Sequence, residues 1–165
     1  MNRGQFIRNV GLGAVMIPGV IKYLHQDPKV PLDKTLVQEF VGTAHRDMDR
    51  VITMHKETPN LLNASHDWGY GDFETALDAA SHVGYKELVT YLVEHGAQTN
   101  IFTACLFGQM EIVKPILDRF PKTLHAIGPH GFTLLHHAIR GGEEALEVKT
   151  YLESLGAKET KIPLY

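Results

Sequence analysis

Ten histidines and 19 acidic side chains in 165 residues are enough raw material for metal binding or acid–base chemistry. Spacing decides whether they can act together. No His-Glu-x-x-His pair is present, and the adjacent His136 and His137 would point to different sides of a helix, so the linear pattern offers no ligand set and no metal site is expected. The densest chemical segment is His66-Asp67-Trp68-Gly69-Tyr70-Gly71-Asp72-Phe73-Glu74, which holds the only tryptophan, two further aromatics and three carboxylates between chain-turning glycines. His66 beside such carboxylates could move protons, but catalysis needs a pocket that shifts their pKa values, and nothing in the sequence marks one. There is no Gly-x-Ser-x-Gly elbow, no phosphate loop and no dinucleotide fingerprint. No catalytic residue and no cofactor is expected.

The elements that must position these residues have to fit one domain, since a domain takes about 100–200 residues. At 44% hydrophobic and 21% charged residues, with a mean hydropathy of −0.13, the chain can bury a core. Its formal charge of −3 leaves no basic excess for a phosphate backbone, so nucleic acid is not an expected partner. The single cysteine, Cys105, excludes an internal disulfide and sits in an apolar run, where packing is its expected role.

Residues 1–32 read as a signal-like apolar segment and linker. Arg3 and Arg8 precede a charge-free stretch from Val10 to Ile21, shorter than the roughly 20 apolar residues that span a bilayer. Asn2-Arg3-Gly4-Gln5-Phe6-Ile7-Arg8 resembles the twin-arginine export pattern, with Gly4 in place of the second arginine. Export to the periplasm is the expectation. The alternatives are a cytoplasmic protein with a flexible arm, or a helix packed on the domain or weakly associated with a membrane face through residues 6–21. Pro28 and Pro31 separate this segment from the folded domain.

Self-similarity governs the rest. Thr75-Ala76-Leu77-Asp78-Ala79-Ala80-Ser81-His82-Val83-Gly84 is followed by Glu87-Leu88-Val89, Leu92-Val93 and Gly96-Ala97, and this unit resembles the ankyrin repeat. A second copy runs from Ala104 through Gly108 to Ile116-Leu117, and a third from Thr133-Leu134-Leu135-His136 through Gly142 to Gly156-Ala157. Gly84 and Gly108 are 24 residues apart and Gly108 and Gly142 are 34 apart, against a family period of about 33, so the loop before the second copy has collapsed to residues 98–100. A degenerate first unit runs from Asp47-Met48-Asp49-Arg50-Val51 to Ala64. Independently of the resemblance, Leu77, Ala80 and Ser81, like Leu88, Val89, Leu92 and Val93, lie at helical spacing, which predicts short amphipathic helix pairs sharing one continuous apolar spine. Thr75 and Asp78 fit a capping box, and Gly84, Gly108 and Gly142 mark turns. Pro115 predicts a kink or a late helix start. His136 is expected to bond its own unit's threonine and backbone.

The resemblance implies an all-α ankyrin-repeat solenoid of about four helix-turn-helix units with irregular loops over 33–157, followed by a tail, 158–165, that can lie over the last unit. The aromatic loop and Gly128-Pro129-His130-Gly131-Phe132 are similar to a subgroup of bacterial ankyrin proteins. The function so implied is non-enzymatic binding of another protein by a monomer, through the concave face and the loops between units. The candidate contact residues are His66, Asp67, Trp68, Tyr70, Asp72, Phe73, His82, Phe107, His130, Phe132, His137 and Arg140. Two readings of the loop stay open: Trp68, Tyr70 and Phe73 anchor a partner with Asp67 and Asp72 orienting it, or Trp68 folds back and Asp72 caps the next helix. Leu106 and Phe107 are too apolar for a free surface, so they are either covered by the long loop or form a binding patch. The competing class is a small-ligand protein or hydrolase using the 66–74 loop and His130.

Overall fold

A computed structural model describes residues 30–165; the expectations for export and for residues 6–21 lie outside the described residues. Helices follow one another in pairs: α1 (Lys34–Thr43) with α2 (Met48–Glu57), α3 (Ala76–Val83) with α4 (Lys86–Glu94), α5 (Ile101–Leu106) with α6 (Met110–Arg119), and α7 (Leu134–Gly141) with α8 (Leu146–Ser154). The first helix of each pair starts at a side-chain cap. Asp33 accepts the Leu36 N–H at 2.9 Å, Asn100 the Thr103 N–H at 3.1 Å and Thr133 the His136 N–H at 3.3 Å, each satisfying a donor that the helix itself leaves free. Thr75 and Asp78 form the full capping box, as their spacing predicts. The turn glycines Gly84, Gly108 and Gly142 all adopt positive φ.

Three features differ from the sequence reading. The first helix pair begins at Lys34, ahead of Asp47: Val37, Phe40, Val41 and Ala44 form a buried stripe at i, i+3, i+4 and i+7, and Asp47 caps the second helix of that pair. The segment read as an irregular loop is an antiparallel hairpin, β1 (Ser65–Asp67) and β2 (Phe73–Thr75), with His66 opposite Glu74, so the fold is mostly helical with one small sheet. The core is also not one spine. One cluster joins α1–α4 and takes in Leu106, while a second joins α5–α8 around Ala104, Val113, Leu134 and Leu152. Cys105 belongs to the second cluster, and burial pushes its thiol up to about 12, which makes it inert packing. Helix α6 starts at Met110 and runs through Pro115 for ten residues, so the start is not delayed.

The segment from Thr160 to Ile162 pairs with the loop ahead of α7. Thr133 N–H donates to the Thr160 carbonyl at 3.2 Å, its hydroxyl donates to the Glu159 carbonyl at 2.7 Å, and Ile162 N–H donates to the Gly131 carbonyl at 2.8 Å. Gly131 has φ +83°, and a Cβ placed there would lie 2.0 Å from the Ile162 carbonyl oxygen. Helix α7 in turn buries His137, whose Nδ1–H donates to the Thr133 carbonyl at 2.9 Å.

Gly131→Ala combines an unfavourable φ with a backbone clash and should cost about 2–4 kcal/mol in urea unfolding, with the C-terminal amides losing hydrogen-exchange protection first. Burial, aided by His136 and His82 and opposed by the Thr133 bond, holds His137 down to about 4. The unfolded chain therefore takes up a proton that the native state refuses, and stability falls as pH drops from about 6.5 towards 4, by roughly 3 kcal/mol for this group. His137→Asn, whose amide can replace the Nδ1 donor, should flatten that slope in unfolding measured at pH 7 and pH 5.

Candidate functional site

The hairpin sets the site through an inverted alternation. On β2 the aromatic Phe73 faces out, 59% exposed, while the carboxylate of Glu74 faces in and is fully buried. The turn is held by Asp67, whose Oδ1 accepts the N–H groups of Gly69 at 2.9 Å and Gly71 at 3.1 Å. Tyr70 at its tip has φ +54° and is 94% exposed.

Three imidazoles converge on Glu74 from three other elements. His45 comes from the turn after α1, His82 from the last turn of α3 and His130 from the loop ahead of α7. Glu74 Oε1 lies 2.9 Å from His82 Nε2, 3.4 Å from His130 Nε2 and 3.6 Å from His45 Nε2, and the two nitrogens of His45 and His82 are 3.1 Å apart. Among the described residues no lysine or arginine pairs with Glu74, and Oε1 accepts no hydrogen bond despite its short approach to His82. The other oxygen, Oε2, accepts the Trp68 indole N–H at 2.8 Å.

Neighbouring acceptors orient two of these rings. His45 Nδ1 faces the Gly42 carbonyl at 3.1 Å, and a carbonyl only accepts, so Nδ1 carries the proton. His130 Nδ1 lies 2.7 Å from Asp72 Oδ2, while Asp72 Oδ1 accepts the His130 backbone N–H at 2.8 Å, which holds His130 at φ +58°. In their neutral forms both rings then turn an Nε2 lone pair towards Glu74. Phe132 stacks between His82 and His136, with centroids at 4.8 and 4.1 Å.

The twelve predicted contact residues therefore separate into two groups. His66, Asp67, Tyr70, Phe73 and Arg140 reach the surface. Trp68 folds back over Gly42 and onto Glu74, keeping one exposed edge and stacking edge-on with His66 at 4.5 Å. Asp72 is buried against His130 and neither faces outward nor caps α3, a role that Thr75 fills. His82, His130 and Phe132 belong to the polar cluster, and His137 is core. Phe107 is half-buried with the Lys86 ammonium 5.9 Å from its ring centroid, and Leu106 is fully buried in the first core cluster. His136 meets its own Thr133 through its backbone N–H, but its ring donates from Nε2 to the His82 carbonyl at 2.8 Å, at the end of α3 in the second helix pair.

His45 and Glu74 are the site residues that the sequence reading missed, and the absence of a ligand set in linear spacing gives way to four donors drawn together from 86 residues of chain. The one legible sign was polarity: an acid placed between Phe73 and Thr75 in a strand that packs inward. As a test of the network, Trp68→Phe deletes the donor to a fully buried oxygen and should cost about 1–3 kcal/mol in denaturant unfolding.

No curated protein matches the chain. Residues 72–104, from the end of the hairpin turn through α3 and α4 into α5, match the family model for the ankyrin repeat.

Proposed function

We propose that the four helix pairs form one ankyrin-like solenoid whose task is to bind another protein without chemistry, through the face that carries the hairpin and the loop ahead of α7. Ankyrin repeats generally mediate such contacts, and that is the coarse reading the family match supports. The observation that carries the finer one is a groove beside the hairpin. Phe73, Ile127 and Leu164, exposed by 59%, 46% and 39%, all line it, with the hydrogen-bonded Asp78 and Asn100 adding a polar element. Exposed large apolar side chains around a polar element are the usual anatomy of a docking surface.

The groove's polar pair is already satisfied, since Asn100 Nδ2–H donates to Asp78 Oδ1 at 2.8 Å. Nothing in it is positioned as a nucleophile beside a base, so the geometry favours binding over turnover. Placement outside the cytosol follows from Arg3, Arg8 and the apolar run to Ile21 as part of the same proposal; fractionation of cells expressing the chain with and without residues 1–26 tests it. No helix among the described residues is long and apolar enough to cross a membrane.

Affinity capture with the intact chain, compared with Phe73→Ser plus Ile127→Ser, tests the groove. Both side chains are exposed, so the double variant should keep its circular dichroism and thermal midpoint while losing its specific partners by at least about tenfold, the effect of removing one or two central apolar contacts. Recovery of the same partners at the same level by the folded variant refutes the groove as the docking surface.

A further inference from the structure

The cluster around Glu74 carries an inference that protein binding does not use. We infer that His45, Glu74, His82 and His130 form a binding site for one divalent transition-metal ion of the zinc class, held by three imidazole Nε2 atoms and Glu74 Oε1.

With His45 Nδ1–H given to the Gly42 carbonyl and His130 Nδ1–H given to Asp72, both neutral rings present bare Nε2 lone pairs to a carboxylate oxygen that is itself only an acceptor. His82 can donate from Nε2 to His45 at 3.1 Å, which leaves Glu74 Oε1 and His130 Nε2 facing each other at 3.4 Å with no proton between them. Electron pairs converging in a buried space need a cation. Glu74 Oε1 is the unsatisfied atom that points at that need.

Four ligands at about 2.0–2.1 Å from a tetrahedral zinc ion stand roughly 3.3–3.4 Å from one another. Four of the separations here are 2.9, 3.1, 3.4 and 3.6 Å, and all four donor atoms lie within 4.8 Å of one another. Imidazole nitrogens with one carboxylate suit an ion of the zinc class.

A metal-bound histidine ordinarily gives its other ring N–H to a carboxylate or a carbonyl, and His130 with Asp72 and His45 with Gly42 show one of each. Trp68 fixes the outer oxygen of Glu74, leaving Oε1 for the ion. The carboxylates of Glu74 and Asp72 together balance a double positive charge. Four protein ligands fill a tetrahedral ion's coordination, so its role is to tie the turn after α1, the hairpin, α3 and the loop ahead of α7 into one body.

The test uses the full chain stripped of metal with a chelator, then titrated with Zn2+ against a chromophoric competitor and with Co2+ followed by visible absorption. The expected result is saturation at one ion per chain, a raised thermal midpoint, and the intense d–d bands of four-coordinate cobalt. Glu74→Gln and His130→Asn should abolish saturable uptake, Asp72→Asn should weaken it roughly 10–100-fold at unchanged stoichiometry, and His125→Asn, which lies outside the cluster, should leave it unchanged. If the two ligand variants do not fold, the wild-type cobalt spectrum and the Asp72→Asn affinity decide. The inference is overturned if the wild-type chain takes up no saturable equivalent, if cobalt gives only the weak bands of six-coordinate surface binding, or if folded His130→Asn binds as the parent does. Nitrogen-15 NMR showing an imidazolium in the cluster at neutral pH, with no metal uptake, would mean that a proton balances Glu74 and would overturn it as well.

Discussion

A fully buried carboxylate with no lysine or arginine beside it is the constraint around which the described residues are arranged. Moving an ionised carboxylate out of water costs several kcal/mol even after the surroundings relax. Glu74 recovers part of that from one aimed donor, the indole N–H on its outer oxygen, while its inner oxygen faces three imidazole edges without accepting a hydrogen bond. Each group is supplied by a different element, so the short hairpin, the turn after α1, the end of α3 and the loop ahead of α7 answer to the same charge. A two-stranded hairpin of three residues per strand has little stability alone. Here its inward acid and the Trp68 that folds back over Gly42 bind it to the helices.

The same requirement explains several backbone features that propensity would not choose. His130 takes a positive φ, and its backbone N–H and ring Nδ1 thereby reach the two oxygens of one carboxylate, Asp72, in the hairpin turn. Phe132, two residues on, fills the space between His82 and His136 as a stacked ring. The C-terminal segment closes over this loop through Gly131 and Thr133. Polar network and backbone path support each other, which is the condition for a buried polar cluster to specify one arrangement.

The helix pairs follow ordinary rules. Each first helix begins at a side-chain cap, and small residues such as Ala80, Ser81, Ala104 and Ala138 are buried where first helices approach each other. The apolar core divides between α4 and α5, with Leu106 reaching across from the second half into the first. At that boundary Lys86 donates to the Gly141 carbonyl at 2.6 Å and pairs with Glu144 at 2.7 Å, so polar contacts join the halves where the apolar clusters separate.

Local chemistry was legible in the sequence because it acts over a few residues. The capping box of Thr75 and Asp78, the turn glycines, the packing role of Cys105 and the helical stripes of α3 and α4 needed only neighbours three or four positions away. The stripe of α1 is equally readable at Val37, Phe40, Val41 and Ala44, and the repeat unit that begins at Thr75 lies inside the stretch that matches the family model. The polar cluster was not legible, since His45, Glu74, His82 and His130 are brought together only when four separate elements close on one point, and no periodicity along the chain encodes that. Whether Trp68 faced a partner or the interior was likewise decided by the position of Glu74, a single acceptor that only the folded chain places within 2.8 Å of the indole nitrogen.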